Sequence, residues 1–104
     1  MSRVTYFVRM NAREGKAEEV RETLLINYRN IREEQGNVAY SPHRSTDDPD
    51  EFWIYETWES QEAVDTHENS PQSEEYKSKL RPVVDGQTLL FGNAAPFAAL
   101  GFEA

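Results

Sequence analysis

FWIYETWESQEAVDTHENS, residues Phe52–Ser70, decides the fold. Six of its first seven residues are aromatic or β-branched, the composition of a strand. Ser60 then stands where a helix N-cap is expected, and Ala63, Val64 and His67 recur at helical spacing behind it. A strand therefore runs straight into an amphipathic helix. Glu56, Trp58 and His67 occupy positions where packing alone would ask for aliphatic side chains.

Working outward, Ser45–Asp50 is a turn with Pro49 inside it, and Val38–Arg44 before it is a second strand, the hairpin partner of Phe52–Trp58. Upstream, a helix is expected from about Lys16 to Gln35, with Ala17, Val20, Leu24, Tyr28 and Ile31 on one stripe. Gly36 is its expected stop. Val4–Met10 alternates between two partly apolar faces and is the first strand. Downstream, Ser70-Pro71 restarts a helical piece that carries Tyr76 and Leu80 and stops before Pro82. Thr88–Gly92 is the fourth strand.

The order is β-α-β-β-α-β, an α+β, ferredoxin-like split βαβ with a four-stranded antiparallel sheet. Its helices can cover one face only. Strands one and three are apolar on both, so the open face is expected to meet the same face of a second subunit. The apolar tail Asn93–Ala104 is expected to pack across that partner.

The 104 residues predict a single domain, 1–104, whose modest core a dimer would supplement. There is no cysteine, which removes disulfides and thiolate chemistry. No signal peptide and no membrane-length apolar run is apparent, so a cytoplasmic protein is expected. The net charge of −8 argues against nucleic acid or an anionic membrane as partner. His43 and His67 lack metal-ligand spacing, and no glycine-rich phosphate loop occurs.

His67 shares the inward face of its helix with Ala63 and Val64. It reads either as a core-edge histidine or as a general base, since an imidazole changes charge near neutral pH. Glu56 and Trp58 share a strand face with Phe52 and Ile54. If that face meets the helices, Glu56 is a half-buried carboxylate in need of a partner, His67 or an arginine. If it is the dimer seam, Glu56 serves an ion pair. Tyr28, Tyr40 and Tyr76 are each placed where a phenol can reach a pocket between helices and sheet.

Gly36-Asn37-Val38-Ala39-Tyr40, Asp48-Pro49-Asp50-Glu51-Phe52 and the pattern E-x-W-x-S-x-x-A-x-x-x-H-x-x-S over Glu56–Ser70 resemble the antibiotic biosynthesis monooxygenase domain family. The resemblance spans nearly the whole chain and implies a homodimeric α/β barrel with a pocket in each subunit. It further implies a quinol or polyphenolic aromatic as substrate, oxidised by molecular oxygen without flavin, haem or metal. His67 and Glu56 would then be catalytic, with Trp58 and the tyrosines Tyr28, Tyr40 and Tyr76 against the ring. The haem-degrading branch is similar but differs at two places. It has Trp where His67 stands and an iron-binding His where Lys77 stands, and an ammonium cannot ligate iron. A non-catalytic binding dimer and an isomerase of a small metabolite are the alternatives that the same pocket allows.

Overall fold

The computed structural model describes residues 3–92, with side chains described through residue 85. The elements are β1 (Val4–Ala12), α1 (Ala17–Ile31), β2 (Asn37–Arg44), β3 (Glu51–Trp58), α2 (Gln61–Glu68), α3 (Pro71–Leu80) and β4 (Val84–Gly92). All four strands join one antiparallel sheet in the order β2-β3-β1-β4. This is the ferredoxin-like arrangement expected from the sequence. The expectation for the tail, residues 93–104, lies outside the described residues.

Strand alternation sorts the side chains as the pattern requires. Val4, Tyr6, Val8 and Met10 of β1 and Phe52, Ile54 and Trp58 of β3 are buried and form the core with Val20, Leu24 and Ile31 of α1. The opposite face carries Phe7, Trp53 and Tyr55, which remain exposed. There, Phe7 and Tyr55 meet edge to face at 5.2 Å, and the Arg9 guanidinium lies 5.7 Å from the Trp53 ring. The open question of β3 is thereby answered: the face bearing Ile54, Glu56 and Trp58 meets the helices.

Both short helices start as their sequences predict. Ser60 Oγ accepts the Ala63 N–H, and Ser70 Oγ accepts the Ser73 N–H, each at 3.1 Å. Ser70 also donates its hydroxyl to the His67 carbonyl at 2.7 Å, which ties the end of α2 to the start of α3.

Two boundaries differ from expectation. The first helix ends at Ile31, short of Gln35. Beyond it the chain tightens into turns, with Glu33 N–H bonded to the Asn30 carbonyl and Glu34 N–H to the Ile31 carbonyl. Helical propensity in Arg32–Gln35 yields to the need to reach Gly36. That glycine has φ +88, and a Cβ there would stand 2.6 Å from Ala63 Cβ, so the loop packs directly on α2. The fourth strand begins at Val84, four residues before Thr88. Asp85-Gly86-Gln87 reads locally as a turn, but pairing with Met10–Ala12 of β1 overrides it.

Candidate functional site

Helices and sheet enclose a cavity of about 560 Å³. Its apolar part comes from Val8, Ile31, Ile54, Leu80 and Val84. Its polar part includes Glu56 and Tyr6, direct cross-strand neighbours on β3 and β1, together with His67 from α2 and Tyr76 from α3. A mostly apolar enclosure with a few convergent polar groups is the usual form of a small-molecule site.

His67 is buried and held on two sides. Its ring stacks on Trp58, centroids 4.5 Å apart and planes inclined by 28°. Its Nδ1 lies 2.9 and 3.1 Å from the two carboxylate oxygens of Glu34. A carboxylate can only accept, so Nδ1 carries the proton in the neutral ring. Nε2 is left with a lone pair for the cavity that His67 lines. Glu34 reaches the imidazole because α1 stops early and the following turn faces inward.

Glu56 is not the partner of His67. One of its oxygens accepts the Trp58 indole N–H at 2.9 Å. Trp58 thus supports both cavity groups, through its ring and through its N–H, while itself fully buried. Burial pushes the Glu56 carboxyl above its ordinary range, and Glu68 and Glu34 add to the rise; the Trp58 hydrogen bond and His67 oppose it.

The tyrosines divide. Tyr76 lines the cavity. Tyr40 is buried, and its hydroxyl accepts from Asn27 Nδ2 at 3.0 Å, outside the cavity lining. Tyr28 lies 6.3 Å from Tyr40, under the Arg32 guanidinium, also off the cavity. The expectation that all three phenols reach the pocket therefore holds geometrically for Tyr76 alone. Helix α1 turns Tyr28 toward the sheet edge, and the Asn27 bond keeps Tyr40 in the second layer. Tyr6 takes the place they were given. Burial, then the nearby Glu68 and Glu56 charges, raise the Tyr6 phenol to about 12. Burial likewise raises Tyr76 well above the ordinary phenol range. Both stay protonated at neutral pH and are not bases, and the Tyr76 hydroxyl is donated to the Tyr40 phenol.

Sequence reasoning missed Glu34, Tyr6 and Asn27. Glu34 is one of several charged residues in Arg32–Gln35, and no local signal marks it. Asn27 had a signal: it interrupts the buried stripe Val20, Leu24, Ile31 with an amide. Among the described residues, no three His, Asp or Glu side chains come together in a way that would hold a metal ion. None of the helices described is long and apolar enough to cross a membrane.

A family model for antibiotic biosynthesis monooxygenases matches residues 3–79. The chain belongs to that family. Solved structures of similar fold include a Pseudomonas aeruginosa protein, 19% identical with a TM-score of 0.85, matched over 92% of this chain and 97% of the other. A Mycobacterium tuberculosis protein is 22% identical with a TM-score of 0.84, over 91% and 95% of the two chains. A Bacteroides thetaiotaomicron protein, described as a possible oxidoreductase, is 22% identical with a TM-score of 0.84, over 89% and 98%. At these identities the likeness concerns the fold. The monooxygenase family model itself covers β1 through nearly all of α3, the elements that carry His67, Glu56, Trp58 and Glu34.

The raised Glu56 carboxyl makes stability depend on pH with a definite sign. The folded state holds this proton more tightly than the unfolded chain does. Its contribution is complete below the unfolded value, about pH 4.3, and is lost as pH rises through the raised folded value. Glu56→Gln keeps an acceptor for Trp58 and removes the titration. Thermal melts should show the variant more stable than wild type near neutrality, with the gap closing below about pH 4. A gap that widens toward acid would contradict the buried-acid account.

Proposed function

We propose that this chain is a cofactor-independent monooxygenase that oxidises a quinol or polyphenolic aromatic with molecular oxygen. The observation that carries this reading is the His67 imidazole, with Nδ1 bound by Glu34 and its ring braced on Trp58 at an apolar cavity. A quinol needs little from a protein beyond binding, deprotonation and shelter from water. Nε2 of His67 takes a ring hydroxyl proton, and Glu34 stabilises the imidazolium that forms. The phenolate is electron-rich enough to pass electrons to oxygen. One oxygen atom enters the ring, the second leaves as water with the quinol's two hydroxyl hydrogens or their equivalents, and the ring becomes a hydroxyquinone. Glu56, whose burial favours its proton-holding form, and the Tyr6 phenol hydrogen-bond the ring oxygens, with Tyr76 against the ring.

The same reading includes a homodimer. Phe7, Trp53 and Tyr55 form an exposed aromatic patch on the helix-free face, where isolated exposed apolar residues would be unremarkable but a contiguous group marks an interface. A second copy meeting it sheet to sheet would bury the patch. Sedimentation should give twice the chain mass for wild type and a shift to monomer for Phe7→Asp. A wild-type monomer at micromolar concentration would contradict the sheet-to-sheet pairing.

Oxygen uptake with a panel of quinols on metal-free protein tests the activity. Wild type should consume oxygen, and His67→Ala should lose about 10²–10⁴-fold in rate, the range of a general base. Glu34→Gln should fall between them. No uptake with any quinol, or equal rates for wild type and His67→Ala, would overturn the reading.

A further inference from the structure

The cavity has a second polar region that the proposed chemistry does not use. Ser73 and Lys77 of α3 and Arg81, the residue that caps its end, line the cavity, four residues apart on one stripe. Two cations on one cavity wall are out of keeping with a chain that has 11 Lys and Arg against 19 Asp and Glu. Complementing the negative end of α3 accounts for Lys79, whose ion pair with Glu75 stays on the outer surface of that helix. It covers the charge of Lys77 in the same last turn, but not the side on which Lys77 and Arg81 stand, toward the cavity.

Their present partners are unequal. Lys77 Nζ lies 2.7 Å from Glu68, another cavity-lining residue, so that pair is locally balanced. Arg81 reaches Glu74 at 3.5 Å, with both side chains mostly exposed. Such a long, solvated pair holds its members weakly. Glu74 does not line the cavity, so among the described residues no carboxylate of the lining is paired with Arg81.

The two polar regions lie toward different ends. Glu56 faces Tyr6 across the β1–β3 ladder. Arg81 leads into Val84, which pairs with Ala12, six residues farther along β1. Glu68, whose charge acts on both Glu56 and Tyr6, is the partner of Lys77, so Lys77 stands between the two ends and Arg81 at the far one. Between the two ends run Val8, Ile54 and Leu80, an apolar floor.

We infer that the molecule taken by this cavity carries a carboxylate, held by Arg81 with Lys77 beside it, at the end away from its hydroxylated ring. The planar guanidinium matches a carboxylate with two parallel N–H···O bonds, and Lys77 adds a point charge. The substrate class becomes an aromatic acid with an apolar body, and not a neutral quinol. The position of its ring rests on the monooxygenase reading; the carboxylate site does not.

Calorimetric titration under anaerobic conditions separates the two. The probes are a naphthohydroquinone bearing a propionic acid side chain and the methyl ester of the same compound. Wild type should bind the acid about tenfold or more tightly than the ester, the worth of a hydrogen bond to a charged group. That preference should shrink in high salt. Arg81→Gln should abolish it while leaving ester affinity unchanged, and Lys77→Gln should reduce it. Arg81 is largely exposed and Lys77 half-buried, and neither belongs to the core, so the variants fold. Equal affinity for acid and ester, equal weakening of both by Arg81→Gln, or no binding of the acid up to millimolar concentration would overturn the inference. Oxygen uptake plays no part in this assay. Acid-selective binding without turnover would uphold the carboxylate site while the monooxygenase reading fails.

Discussion

The clamp on His67 is the interaction on which the site depends. Trp58 fixes the plane of the imidazole and Glu34 fixes its tautomer. Neither restraint is local: β3 supplies the indole and the turn after α1 supplies the carboxylate. The clamp exists only when α1, α2 and the sheet have docked. The early end of α1, the left-handed Gly36 packed on Ala63 and the Ser60 cap all set where Glu34 and His67 meet. Trp58 carries the largest part, since its N–H also holds Glu56. Truncating a buried tryptophan costs about 3–5 kcal/mol, and here it would release both cavity groups together.

The resulting cavity sorts protons by environment. Burial raises Tyr6, Tyr76 and Glu56, which favours the neutral, proton-holding form of each. Only the imidazole offers a lone pair braced by an anion on its far side. A site built from several donors and one acceptor suits a substrate whose own hydroxyl must lose a proton while its other oxygens stay hydrogen-bonded. That match, and not any single residue, is what the proposed aromatic oxidation draws on in this fold of the antibiotic biosynthesis monooxygenase family.

Most of the fold was legible in the sequence because its signals are local and agree with one another. The alternation in Val4–Met10, the caps Ser60 and Ser70 and the turn before Glu51 each report on their own neighbourhood. His67, Glu56 and Trp58 stood out for the same reason, as polar or amphipathic groups on apolar faces. What they touch was not legible. A period-two pattern shows which residues share a face of β3 but not which face meets the helices. Glu34 carries no mark at all, because its role arises from chain 33 positions away folding back so that α2 meets it. Tyr28 and Tyr40 failed as cavity residues because helical phase places a residue on a side of the helix, not in a particular layer of the core.

The most direct test of this account concerns one proton. Long-range proton–nitrogen correlation NMR on nitrogen-labelled histidine distinguishes the two imidazole tautomers, and the exposed His43 provides an internal reference. Neutral His67 should show a protonated Nδ1 and a bare Nε2, and Glu34→Gln should let the tautomers mix. A proton resident on Nε2, with Nδ1 bare beside Glu34, would contradict the account.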